Sequence, residues 1–191
     1  PLQITLDYPA SQNPNGEHVQ KNELLAKDWQ AIGVNAKLNP VTPSSFSSQW
    51  AVGKIMTTTA WENSGSPAVI VSVLWMMPVE ASRWAPLEGT WWTLLNTGKD
   101  KEELTVDPYQ RHPPRMAPEP GGPVDRLWKL YEQARGELDP VKRTGLAWDM
   151  IKIQITDGPF VQGTVADYPQ IELVKQGLQN VPQRDDLAQH G

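Results

Sequence analysis

The first forty residues change their hydrophobic period twice, and this change constrains the fold more than any other feature of the sequence. Apolar and polar residues alternate from Leu2 to Leu6 and again from Val34 to Leu38, which predicts two strands. Between them the apolar residues fall mostly at helical spacing, namely Val19, Leu24, Leu25, Trp29 and Ile32. Gly33 then provides a left-handed helix stop. Because a strand–helix–strand crossover normally joins parallel strands, the sequence predicts an α/β fold.

The stretch Lys54–Pro78 predicts a further strand followed by a polar turn. Residues 55–61 are rich in β-branched and apolar side chains, and residues 62–67 are small, polar or turn-forming. Ligands of α/β sheets collect at the carboxyl ends of strands, so Trp61 and the turn after it are candidate binding residues. A buried strand with Trp61 in the core is the alternative interpretation. The apolar run 68–77 fits either a helix or a strand.

The middle of the chain shows weaker patterns. Thr42 predicts the cap of a short helix over residues 46–52. The aromatic segment 83–92 has no clear period. Residues 96–122 form a long irregular stretch rich in proline, which we interpret as a partly mobile surface insertion.

The last third of the chain predicts two helices, two short strands and a polar tail. Apolar residues at helical spacing indicate the first helix, namely Val124, Leu127, Trp128, Leu130, Tyr131 and Ala134. Asp139 followed by Pro140 is a strong start for the second, whose predicted buried side comprises Ala147, Met150 and Ile151. Residues 160–165 and 171–174 are predicted strands, and residues 184–191 are polar. Together these elements predict helices covering a mixed sheet.

Composition limits the kinds of function. The chain has 191 residues, of which 39% are hydrophobic and 20% charged, as is typical of a globular protein. Its net charge of −5 argues against a nucleic-acid or anionic-membrane partner, since both require clusters of lysine and arginine. The absence of cysteine excludes disulfides, thiolate metal sites and cysteine nucleophiles. The apolar window 68–79 is too short to span a bilayer. No secretory signal is visible at the start. Because the chain begins at Pro1 already inside a strand pattern, we expect that it was cut from a longer one.

Tryptophan is concentrated in one region of the chain. Six of the nine tryptophans lie between residues 50 and 92, namely Trp50, Trp61, Trp75, Trp84, Trp91 and Trp92. Flat rings with one polar edge suit stacking against a ligand, but tryptophan also fills cores. Trp84 and Trp91 are therefore candidate subsite residues, with packing under the Pro-rich stretch as the alternative. A non-catalytic domain that binds a protein through an exposed aromatic patch is a further alternative.

The sequence contains no credible catalytic motif. The three histidines are widely separated, and none has the spacing of a zinc ligand or lies beside a nucleophile-elbow serine. No phosphate-binding glycine loop is present either. We therefore expect no enzyme activity, no metal and no cofactor. The alternative is a hydrolase acting on sugars or esters, in which Glu62 and Asp167 are the residues to test.

Several motifs follow one another in a recognisable order. A helix ends in Ile32-Gly33-Val34, a strand ends in Trp61, Leu138-Asp139-Pro140 joins the last two helices, and Asn180-Val181-Pro182 lies near the end. In this order the chain resembles the C-terminal lobe of the extracytoplasmic solute-binding proteins of ABC importers, in the oligopeptide-binding branch (family 5). The resemblance covers residues 1–183.

The resemblance implies one lobe of a periplasmic-binding-protein type II fold, taken from a two-lobe protein that closes over a solute without chemistry. The implied partners are the solute, the missing N-terminal lobe of the same protein and the ABC permease subunits in the membrane. The resemblance also implies an extracytoplasmic location, in the periplasm or as a cell-surface lipoprotein, with a signal peptide in the full-length precursor.

One departure from the family concerns the ligand. Peptide-binding members commonly end the central strand in Trp-x-x-Asp, and that aspartate meets the ammonium group of the ligand. Trp61 matches the motif, but Ser64 stands at the aspartate position, with Glu62 and Asn63 beside it. A hydroxyl cannot neutralise a desolvated ammonium, so either Glu62 replaces the aspartate or the ligand is not an ordinary peptide. We therefore expect an oligopeptide or an oligosaccharide as the ligand, since the C–H faces of a sugar stack on indole rings while its hydroxyls form hydrogen bonds.

Overall fold

The computed structural model describes residues 2–10, 17–59, 76–81, 84–158 and 160–161. The chain divides into two compact units. The first unit comprises residues 1–61 and 78–118, and the second comprises residues 62–77 and 119–191. No helix in these described ranges has both the length and the apolar character needed to cross a membrane.

The first unit contains the predicted strand–helix–strand arrangement. β1 (Leu2–Pro9) and β2 (Val34–Val41) form a parallel pair, with Leu2 opposite Val34 and Pro9 opposite Val41. α1 (Glu17–Ala31) connects the two strands, and Gly33 follows it with a φ of 89°, which glycine adopts without strain. The predicted α/β fold is therefore confirmed. In the described part of the chain, the sheet consists of this pair and one parallel bridge.

The buried face of α1 differs from the predicted one. Leu24 and Ile32, which their spacing assigned to that face, are 63% and 76% exposed. Among the described side chains of α1, the buried ones are Asn22 and Ala26. Asn22 is fully buried, and its Oδ1 accepts a hydrogen bond from Thr59 Oγ1 at 3.0 Å. A polar residue therefore occupies the centre of this helix face, which a search for apolar spacing cannot find.

α2 (Pro43–Ala51) begins at the predicted cap, three residues before the predicted start of the helix. Thr42 Oγ1 accepts a hydrogen bond from Ser45 N at 3.3 Å, and proline occupies the first turn. Phe46 is the buried residue of α2, and its ring meets that of Trp50 edge-on at 4.8 Å between centroids. The capping signal in the sequence therefore locates this helix start better than the apolar period does.

The strand predicted over residues 55–61 is reduced to a single bridge in the described residues. Thr57 lies beside Leu6 in parallel orientation, and Thr57 O accepts a hydrogen bond from Asp7 N at 3.0 Å. Residues 55–59, the described part of the segment, therefore meet β1 at this one bridge and form no longer strand. Trp61, at the end of the predicted strand, lies outside the described residues.

The aromatic segment without a clear period contains a helix, α3 (Pro86–Leu94). Pro86 occupies the first turn, where its missing N–H costs no helical hydrogen bond. Gly89 lies so close to the backbone of Glu80 that an added Cβ would overlap the carbonyl oxygen. Glycine and a threonine, Thr90, are among the buried residues of α3, so its buried face carries little apolar signal in the sequence.

The irregular stretch after α3 contains two 3₁₀ turns, Lys99–Lys101 and Pro108–Gln110. Two arginines are buried in it, Arg111 with 8% and Arg115 with 1% of its surface exposed. Arg111 donates to three backbone carbonyls at 3.0 to 3.2 Å, those of Leu104, Val106 and Arg115. Arg115 donates to the carbonyls of Glu102 at 2.7 Å and Pro113 at 3.0 Å. This stretch is therefore organised around buried charged side chains rather than apolar ones, which the sequence patterns do not indicate.

The second unit is built on a pair of helices, α4 (Pro123–Gly136) and α5 (Pro140–Thr156). The predicted cap of α5 is confirmed, because Asp139 Oδ1 accepts from Val141 N at 2.8 Å. The two helices pack against each other, and their buried apolar residues are Leu127, Trp128, Ala134, Ala147, Met150 and Ile153. Of the predicted strands 160–165 and 171–174, only residues 160–161 are described, and they form a bend.

Candidate functional site

The carboxyl ends of the two strands lie at the same end of the sheet. β1 and β2 end there at Pro9 and Val41, which lie opposite each other in the parallel register. Because Thr57 pairs with Leu6, continuing the register by two residues places Thr59 level with Tyr8 at the same edge. Four of the six predicted binding residues come shortly after Thr59 in the sequence and lie outside the described residues, namely Trp61, Glu62, Asn63 and Ser64.

Buried polar groups hold this edge together. Asp7 Oδ1 accepts a hydrogen bond from Asn39 Nδ2 at 2.6 Å across the paired strands. Asp7 and Thr59 are both buried, and Thr59 bonds to Asn22 as described above. Burial raises the pKa of the Tyr8 hydroxyl, to which the negative charge of Glu23 adds, so the phenol is neutral at neutral pH. The Asp7 and Thr59 side chains have internal partners, so they fix the edge of the sheet.

The two predicted subsite tryptophans belong to α3 and its approach. Trp84 precedes Ala85, which has a left-handed φ of 45° at the helix cap. Trp91 lies in the second turn of α3, and both tryptophans are half-buried. Half-burial leaves part of each side chain accessible, and it fits both ligand contact and packing. Their role as subsite residues stays a prediction.

Glu88 is a residue that the sequence patterns do not single out. It lies on α3 three and four positions before Trp91 and Trp92, so the three side chains share one side of the helix. Glu88 is half-buried, and this burial raises the pKa of its carboxyl above the ordinary value, against a smaller lowering effect of its own backbone hydrogen bond. The Glu-x-x-Trp-Trp spacing becomes informative only once residues 86–94 are known to be helical.

The opposite side of α3 borders an open groove of about 540 Å³. Thr90 and Thr93 line it, and both hydroxyls donate within the helix, Thr90 Oγ1 to Pro86 O at 2.9 Å and Thr93 Oγ1 to Thr90 O at 2.8 Å. The remaining lining residues are mostly apolar, namely Ala51, Val52, Glu80, Ala81, Pro113 and Pro114. Neither Trp84 nor Trp91 lines this groove, so it is separate from the predicted subsite.

The described residues include no cluster of three or more His, Asp or Glu side chains suited to a metal ion. In those same ranges, a histidine–carboxylate contact joins His112 Nδ1 to Glu103 Oε1 at 3.4 Å. The His112 side chain is 87% exposed. Glu62 and Asp167, the residues of the hydrolase alternative, lie outside the described residues.

Comparisons with known proteins relate the chain to one solved fold. No protein-family model matches the sequence, and no curated protein matches it significantly. The structure is similar to that of the oligopeptide-binding protein OppA, with a TM-score of 0.54 and 22% sequence identity over 81% of this chain. The chain spans 23% of the length of that protein. At this identity the likeness shows the fold, which is an α/β lobe of the kind found in OppA.

Proposed function

We propose that the chain is a ligand-binding lobe of a solute-binding protein that serves an ABC importer. The observation that carries the proposal is the fold shared with a protein named for oligopeptide binding over 81% of this chain. The parallel sheet adds support, because its carboxyl edge is where α/β folds bind ligands and where the chain leads towards Trp61. The protein would then act outside the cytoplasm, in the periplasm or at the cell surface.

In this proposal the ligand lies between two lobes and is not chemically changed. Trp61 offers a stacking face, the polar side chains of residues 62–64 offer hydrogen bonds, and Trp84 and Trp91 shape a subsite. A second lobe of the same protein covers the ligand by hinge closure, and the closed form delivers it to permease subunits in the membrane. The ligand is an oligopeptide or an oligosaccharide.

Calorimetry on the full-length protein with oligopeptide and oligosaccharide libraries tests this proposal. We expect one class to bind, and Trp61→Ala to weaken that binding by about fivefold to tenfold through lost stacking. Trp148→Ala is the matched control, because Trp148 is an exposed tryptophan of the second unit. The isolated 191-residue chain should bind the same ligand far more weakly, since it supplies one side of the cleft.

Two results contradict the proposal. Tight binding by the isolated chain excludes a shared cleft. Turnover of a sugar or ester that Glu62→Gln abolishes without unfolding the protein identifies a hydrolase instead.

A further inference from the structure

Glu88 and Trp91 place a carboxylate beside an indole ring in the middle of α3. Residues three positions apart on a helix have Cβ atoms about 5–6 Å apart, so the two side chains are neighbours, with Trp92 on the other flank. All three residues are half-buried. The groove-lining residues Thr90 and Thr93 lie on the opposite side of the helix, so this side is a distinct surface.

The Glu88 carboxylate forms no ion pair within the described ranges of the chain. α2, which packs against α3, contains no charged residue. The 3₁₀ turn that also packs against α3 contributes three charged residues, namely Lys99, Asp100 and Lys101. Glu80 also packs against α3, because its backbone approaches Gly89, and its side chain is a further carboxylate. None of these groups contributes to the shift in the pKa of Glu88.

A half-buried carboxylate without a counter-charge is costly to keep ionised, and a cation is the group that relieves this cost. A flat indole beside it adds attraction for the same kind of group, because tryptophan is the best aromatic partner for a cation. A neutral sugar hydroxyl would form a hydrogen bond to Glu88 but would not neutralise it. The pairing of the two side chains therefore favours a positively charged ligand group.

We propose that Glu88 and Trp91, flanked by Trp92, form a subsite for a cationic nitrogen group of the ligand, either a primary ammonium or a guanidinium. This inference rests on the proposed function and makes it more specific. Of the two candidate ligand classes, it favours a positively charged peptide. Glu88 would supply a carboxylate for such a peptide, which Ser64 cannot do at the position of the family aspartate.

Fluorescence titration of the 191-residue chain with tri-lysine and tri-arginine at neutral pH tests the subsite. Tri-lysine with acetylated side-chain and terminal amines is the uncharged probe. We expect weak saturable binding of one or both cationic peptides and none of the acetylated one. Glu88→Gln should weaken binding by about tenfold or more, because it removes a charge-assisted contact. Trp91→Ala should weaken it by about fivefold.

Glu80→Gln is the matched control, since it removes the same charge from the same unit on the groove side of α3. It should leave the affinity unchanged, which separates a local site from general attraction to a chain of net charge −5. Circular dichroism verifies that each variant is folded. Equal losses in Glu88→Gln and Glu80→Gln, no binding of either cationic peptide, or equal binding of the acetylated probe would overturn the inference.

Failure of this subsite and failure of the proposed function give different results. If the full-length protein binds neutral oligopeptides or oligosaccharides and Glu88→Gln has no effect, the proposed function stands and the subsite is wrong. If the 191-residue chain binds cationic peptides through Glu88 but the full-length protein takes no solute more tightly, the subsite stands and the importer role is wrong.

Discussion

Glu103 and Glu88 are two half-buried carboxylates of the same unit with opposite surroundings. The Glu103 carboxylate accepts hydrogen bonds from His112 N at 2.7 Å and from Arg115 Nη1 at 3.3 Å. These bonds lower the pKa of Glu103, the backbone N–H of His112 contributing most. Burial instead raises the pKa of Glu88, which forms no ion pair within the described residues.

The difference separates a structural role from a candidate functional one. Glu103 has a left-handed φ of 54°, a costly conformation for a residue with a side chain, and its bonds compensate for that cost within the fold. Burial disfavours the ionised form of Glu88, and no side chain among the described residues offsets that effect. A residue that conflicts with its local environment is a candidate for ligand binding, because such conflicts concentrate at functional and strained sites.

The largest expected effect is a loss of stability when Arg115, the buried partner of Glu103, is replaced. Arg115→Met should lower the free energy of unfolding by about 3 kcal/mol, because it leaves buried carbonyls without donors and removes the counter-charge of Glu103. Urea denaturation at neutral pH measures the change. Arg135→Met is the matched control and should cost less than about 0.5 kcal/mol, since its ion pair with Glu132 is exposed. Similar losses in both variants would contradict the structural role of Arg115.

Glu103→Gln should have a smaller effect that depends on pH. Since the pKa of Glu103 is lower in the folded protein than its ordinary value of 4.5, its stabilisation is present above that value. It is lost as the pH falls through the lowered pKa. The variant should therefore be less stable than the wild type at neutral pH, and the difference should shrink on acidification. Urea denaturation over a pH series measures this, and a pH-independent difference would exclude the ionised carboxylate as the cause.

The elements that the sequence predicts correctly are those whose signals lie within a few neighbouring residues. The parallel pair β1 and β2 could be predicted because the alternation of apolar residues, the helical spacing between the strands and Gly33 all indicate a strand–helix–strand unit. The start of α5 was readable because Asp139 and Pro140 act through contacts with the next few residues. Neither prediction needed knowledge of what packs against these elements.

The missed features depend on tertiary contacts between polar residues. Asn22 is buried because Thr59, distant in sequence, supplies its partner, and Arg115 is buried because loop carbonyls surround it. α3 escaped detection because Gly89 is fitted to the backbone of Glu80. The pattern of apolar residues contains no information about such contacts. Of the predicted binding residues, Trp84 and Trp91 are described and half-buried, and residues 61–64 lie outside the described residues. The binding roles of all six stay predictions.

The smallest expected effect is a gain in stability for Glu88→Gln, opposite in sign to the losses expected for Arg115→Met and Glu103→Gln. Because the pKa of Glu88 is raised in the folded protein, the folded chain loses stability as the pH rises from the ordinary value of 4.5 through the raised one. Glu88→Gln removes that cost, so the variant should be slightly more stable than the wild type at neutral pH. Below the ordinary pKa, the wild-type carboxyl is protonated in both the folded and the unfolded protein, so the advantage of the variant should disappear.

Thermal unfolding of Glu88→Gln over the same pH series measures this gain, with Glu80→Gln as the control at an exposed carboxylate. A gain confined to Glu88→Gln, together with its expected loss of affinity for tri-lysine, would mean that the wild-type residue is kept for binding at the expense of stability. If Glu88→Gln is instead less stable at neutral pH, then the Glu88 carboxylate has a stabilising partner as Glu103 does. The contrast between the two carboxylates, and the cationic subsite with it, would then be wrong.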